Sequence, residues 1–177
     1  MNKLITVLLM VITILVSSCG YDVTEPADIQ ATTYVKDGVA TIGELYFEFE
    51  APSIYRGSSR NIIYVITHVT NNGKTSINAN PDTYLIDNEG NQYDSESDAI
   101  YDAIRYLKKE RYIYFENKYG DDFFDTLETG WLGFKIQPKM SEDIIWAFYL
   151  PTEKKSEYKF FQEYDYDKKL VLPMKLE

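Results

Sequence analysis

The pattern that most limits how this chain can fold is a two-residue alternation that recurs between turn signals. Over residues 44–50, Glu44, Glu48 and Glu50 alternate with Leu45, Phe47 and Phe49, and Tyr46 shares the polar register. Successive strand side chains point to opposite faces, so this is a strand with one wet and one buried face. Ala51-Pro52-Ser53 ends it, and Arg56-Gly57-Ser58-Ser59 is turn material. From Ile62 to Val69 the chain is apolar and β-branched in both registers, which predicts a central strand covered on both sides. Asn71-Asn72-Gly73-Lys74 reads as a hairpin turn, because Asn-Gly tolerates positive φ.

Further strands are expected at 82–87, 131–136, 143–150, 159–164 and 169–172, with shorter ones near Ser76-Ile77 and Gln92-Tyr93. Asn88-Glu89-Gly90-Asn91 turns the chain between two of them, and Pro173 fits only an edge or the end of pairing. Seven or eight short strands separated by turns predict an all-β, antiparallel sandwich. One segment departs from the alternation. Ile100, Ile104 and Leu107 recur at helical spacing, with Ser97 placed to cap, acids early and Lys108, Lys109 and Arg111 late, so a helical insertion is expected near residues 97–112.

The N-terminus carries an address. Lys3 is followed by a mostly apolar run from Leu4 to Val16, the shape of a secretory signal peptide and shorter than the roughly 20 residues a helical membrane span needs. Val16-Ser17-Ser18-Cys19 resembles a bacterial lipobox. That resemblance implies cleavage before Cys19, lipidation of its thiol and a lipid-held domain on the far side of a cell membrane or at an outer membrane. Cys19 is the sole cysteine, so no intramolecular disulfide is possible, and lipidation would consume a thiol otherwise left free. Several acyl chains, each buried CH₂ contributing about 0.8 kcal/mol, make a stable anchor. The expected organisation is therefore a signal peptide over 1–18, the lipidated cysteine and a flexible tether over 19–37, and the sandwich over 38–177. About 18 tether residues reach on the order of 20–25 Å.

Charge and residue counts exclude several chemistries. The 177-residue chain has a formal charge of −10, which opposes nucleic-acid binding. Cleavage before Cys19 would leave 159 residues and −11, which disfavours adhesion to anionic lipid or teichoic polymers. His68 is the only histidine and lies in the most strand-like segment, where a satisfied or surface histidine is the ordinary expectation. No catalytic residue, metal site or cofactor is assigned. The 28 acids would permit a glycosidase-type carboxylate pair without indicating one. Asp87–Asp94 lacks the EF-hand spacing, and Asp121-Asp122 would meet Asp165-Tyr166-Asp167 at a cation only if the fold joined them.

Three stretches resemble a known family. Val65–Lys74 followed by Pro81–Tyr93 is similar to the telokin-like, immunoglobulin-like extracellular lipoproteins of the DUF4352 group. The layout there is a strand ending in Asn-x-Gly, an aromatic strand and an Asp-x-x-Gly-x-x-Tyr hairpin. Gly130-Trp131-Leu132-Gly133-Phe134 resembles that family's Gly-Trp-x-x-Phe strand, although the usual Pro-Gly turn before it is missing and the 97–126 segment is long. The resemblance implies an immunoglobulin-like sandwich with a binding or structural role and no known reaction.

Eight aromatics crowd the 24 residues from Tyr101 to Phe124. Either a helix and a flanking strand pack these rings onto a sheet, or Tyr101, Tyr106, Tyr112, Tyr114 and Tyr119 form a contact surface. The functional expectation is a membrane-anchored, non-enzymatic binding or structural module with an envelope protein or glycan as partner. The alternative is a carboxylate-based hydrolase of envelope polymers.

Overall fold

The computed structural model describes residues 31–56, 60–130, 133–152, 157–164 and 168–175. The signal peptide, the lipobox and Cys19 lie outside the described residues, as do Trp131, Leu132 and Asp165-Tyr166-Asp167.

Thirteen strands are described: β1 (Ala31–Tyr34), β2 (Val39–Ile42), β3 (Leu45–Phe49), β4 (Ser53–Arg56), β5 (Asn61–Asn71), β6 (Ile77–Ala79), β7 (Asp82–Asp87), β8 (Gln92–Asp94), β9 (Glu128–Thr129), β10 (Phe134–Ile136), β11 (Ser141–Leu150), β12 (Glu157–Tyr164) and β13 (Lys168–Lys175). One sheet runs β1-β13-β12-β7-β8 and the other β2-β3-β5-β11-β9, with β4 also on β5 and a separate β10-β6 ribbon. The two sheets form a β-sandwich. All but two pairings are antiparallel; β1 on β13 and β9 on β11 are parallel.

The alternation in β3 is realised as expected, with Leu45, Phe47 and Phe49 buried. They join Ile63, Val65, Trp146, Phe148, Phe160 and Leu170 between the sheets. The strand β5 is covered on both sides: Ile63 and Val65 face the sandwich interior, and Ile62, Tyr64 and Ile66 face a second core under helices. Ala51-Pro52 interrupts the strand beside β5, so β3 pairs its second half and β4 its first.

The helical insertion exists and is longer than expected. It comprises α1 (Ser97–Glu110), α2 (Tyr112–Tyr119) and α3 (Phe123–Thr126). Residues 112–119 and 123–126 are thus helical, with a turn between them, not a flanking strand. Ala99, Ile100, Ala103 and Leu107 of α1, with Phe115 and Phe123, bury against Ile62, Ile66, Ile145 and Ala147. Ser97 does not cap α1; Glu96 holds that position in extended conformation with no side-chain cap, and its carbonyl accepts from Ile100 N–H. Lys108 and Lys109 do lie in the last turn, where the macrodipole favours cations.

Two turn and boundary expectations are corrected. Residues 31–34 of the expected tether form β1, registered on β13 from Ala31–Lys168 to Tyr34–Val171. Asn71–Lys74 is not a hairpin. β5 pairs with β3, β4 and β11, and the chain leaves it to form β6 against β10. The buried Asn71 side chain directs this exit: Nδ2 donates to the carbonyls of Thr75 (2.8 Å) and Ile136 (3.0 Å), and Oδ1 accepts from Gly73 N–H (2.8 Å). Pro173 sits in β13 beyond the last β1 pairing, where its missing donor leaves no gap in that ladder.

Candidate functional site

The aromatics of the insertion divide between core and surface. Phe115 and Phe123 are buried and stack in parallel, centroids 5.0 Å apart at 5°. Tyr119 stacks on Phe123 at 4.9 Å and is only partly exposed. Tyr106 is likewise half-buried, stacked on Tyr55 of β4 at 4.3 Å. These two expected surface residues are therefore packing residues: Tyr106 fastens α1 to the sheet, and Tyr119 packs within the helical layer.

Tyr101, Tyr112 and Tyr114 are exposed, at 64%, 40% and 44%. The sequence reading missed Ile113, which at 70% is the most exposed large apolar side chain among the described residues. Its only signal was its place between two tyrosines. With 100° per residue, α2 buries Phe115 and turns Ile113 and Asn117 outward. Tyr112 and Glu116 flank that ridge on one side, Tyr114 and Lys118 on the other.

The flanks differ in charge. Glu116 raises the Tyr112 hydroxyl's pKa by its charge, burial adds to this, and Asp121 and Asp125 contribute from nearby. On the opposite flank the Arg111 guanidinium lies 4.8 Å from the Tyr114 ring centroid and Lys118 lies over Tyr114 and Tyr119. Lys118 also bridges to Glu50, joining α2 to the end of β3.

A cleft of about 590 Å³ lies at the β7–β8 edge, lined by Asp82, Thr83, Gln92, Asp94, Glu163 and Gly130, among others. Glu163 accepts from the Tyr84 hydroxyl and from Lys169 Nζ, each at 2.5 Å, and Lys169 also donates to the Tyr84 oxygen at 2.9 Å. The Lys169 bond, then the Tyr84 bond, hold the Glu163 carboxyl below the usual carboxylate range. Burial, then Glu128 and Asp143, raises Glu142 instead. Glu142 opens β11 and is not in the cleft lining, so this acid and the ionised Glu163 do not face each other there.

His68 Nδ1 pairs with Asp143 Oδ1 at 2.9 Å across β5 and β11, while Ser141 Oγ pairs with Thr70 Oγ1 at 2.8 Å. Each hydroxyl and the imidazole thus has its own cross-strand partner. In the 87–94 loop, Asp87 Oδ1 accepts from Glu89 and Asn91 N–H, and Oδ2 from the Asn91 amide and the Tyr93 hydroxyl. The loop is the expected β7–β8 hairpin. Among the described residues no group of three or more His, Cys, Asp or Glu is placed to hold a metal ion.

The fold defines a β-sandwich protein with a helical layer on one sheet. No family model matches the chain, and no curated protein matches it. Among solved structures, an uncharacterized β-sandwich protein from Clostridium difficile 630 aligns with a TM-score of 0.51 at 13% identity, over 85% of this chain and 99% of its own. At that identity the likeness shows the fold alone.

Proposed function

We propose that the chain is a membrane-anchored, extracytoplasmic lipoprotein, held by lipid at Cys19, whose sandwich is a non-enzymatic contact module of the telokin-like, immunoglobulin-like kind. The anchor rests on Val16-Ser17-Ser18-Cys19 after an apolar run. The family reading is supported by the exit from β5 at Asn71-x-Gly73 and by the Asp87-x-x-Gly90-x-x-Tyr93 hairpin.

The observation that carries the contact role is the outward ridge of α2. Tyr112, Ile113 and Tyr114 stay exposed although Phe115 beside them is fully packed. Contiguous exposed apolar side chains mark interaction sites, and tyrosine adds area at low rotamer cost. Cys19→Ala tests the anchor: the protein leaves the membrane fraction for the soluble one, whereas continued retention contradicts lipidation. Ile113→Ser tests the ridge: a cross-linked adduct seen in native envelopes is lost while the melting midpoint holds, because Ile113 is 70% exposed.

A further inference from the structure

From the two unlike flanks of the α2 ridge we infer that its partner is a second copy of this chain, joined about a two-fold axis. The inference rests on reading the ridge as a contact surface, and names what covers it. Ile113 and Asn117 form the crest; Glu116 beside Tyr112 makes one flank acidic, and Arg111 beside Tyr114 makes the other basic, Lys118 on that side being already bridged to Glu50.

Symmetry decides which arrangement uses those charges. If two copies of α2 face each other about an axis perpendicular to the helices and to the line joining them, they run antiparallel and like flanks meet. About an axis along the helices they run parallel, and each acidic flank meets the partner's basic flank. The second arrangement is isologous and self-complementary, with Ile113 against Ile113 near the axis.

Lipid anchoring would favour a two-fold pair of copies in either arrangement, and the charges choose between the two. Copies held in one membrane face the same way, as a two-fold axis along the membrane normal requires. Confinement to a plane also raises effective concentration without new contacts. The crest is short, since eight helical residues span about 12 Å. A standard stable interface buries about 1,600 Å² in total, so the pairing is weak in dilute solution and depends on confinement.

The test uses the complete chain in its own membranes, with Ile113→Cys as the reporter and a short bifunctional maleimide as the probe. A cross-linked species of twice the chain mass is expected from Ile113→Cys and not from Tyr101→Cys. Adding Arg111→Glu to every copy, or Glu116→Arg to every copy, cuts the product at least about tenfold, because like charges then meet. Co-expressing the two variants restores it, since one copy has two acidic flanks and the other two basic ones. A role limited to folding would show no such rescue. Absence of the doubled species overturns the proposal. If the Ile113→Cys thiol is then shielded from a mono-functional maleimide, another partner covers the ridge; if it labels freely, the contact reading fails as well.

Discussion

Tyr106 of α1 stacks on Tyr55 of β4 with ring centroids 4.3 Å apart at 29°. That contact ties the helical layer to the part of the sheet that Ala51-Pro52 separates from β3. Tyr106→Ala therefore costs about 2 kcal/mol, from lost burial and the ring pair together. Tyr101→Ala, at an exposed site of the same helix, costs under about 0.5 kcal/mol. Urea unfolding of the two variants separates packing tyrosines from surface ones.

Gly130 has the opposite role, that of leaving space. A Cβ there would stand 2.0 Å from Trp146 Nε1, and Trp146 is fully buried in the inter-sheet core. Gly130→Ala must displace an indole wedged against Phe134 and Phe160. Overpacking of this sort costs about 1–3 kcal/mol. The denaturation midpoint should fall, and the tryptophan near-ultraviolet signal should change with it.

Asn71→Ala removes three hydrogen bonds at the point where β5 gives way to the β6–β10 ribbon. The carbonyls of Thr75 and Ile136 and the Gly73 N–H lose their partner, so the expected cost is about 2–4 kcal/mol. Faster amide exchange at the ribbon, with β12–β13 little changed, would locate the damage.

Stability should depend on pH at both ends. The Glu163 carboxyl is held low by Lys169 and then Tyr84, so its contribution is full above the ordinary carboxylate pKa. It fades as pH falls through the lower folded value. Glu163→Gln should flatten that acid limb. Burial, then the hydrogen bond to Asp102 at 2.8 Å, pushes Tyr149 up to about 12. A phenol raised from 10.0 contributes stability below pH 10 that is lost between 10 and 12, and Tyr149→Phe should lessen that alkaline loss.

The strands were legible wherever one residue in two had to be buried, as in β3, or where both faces were covered, as in β5. The ends of the fold were not. Ala31-Thr32-Thr33-Tyr34 has no apolar alternation, and it becomes β1 only because β13, at the far end of the chain, offers a free edge. Asn71-Asn72-Gly73-Lys74 has hairpin chemistry, yet the edges of β5 are taken by β3, β4 and β11, so the same turn residues serve an exit. Tyr112–Phe124 has strand-like aromatic content and is helical because Phe115 and Phe123 dock on the outer face of β5 and β11. Exposure within the insertion was half legible: Tyr101, Tyr112 and Tyr114 are exposed, while Tyr106 and Tyr119 pack, and Ile113 had no signal beyond its place between two tyrosines.

On the proposed function, the α2 ridge faces the outside of the membrane and is covered in the cell. The most direct measurement is the labelling rate of Ile113→Cys by a membrane-impermeant maleimide, on intact cells and on purified protein, with Tyr101→Cys as reference. Tyr101→Cys should label at similar rates in both settings and Ile113→Cys at least about tenfold more slowly on cells, the signature of a site occluded by about 1.4 kcal/mol or more. Equal rates for Ile113→Cys on cells and in solution would contradict a covered ridge, and failure of both positions to label on intact cells would contradict extracytoplasmic display.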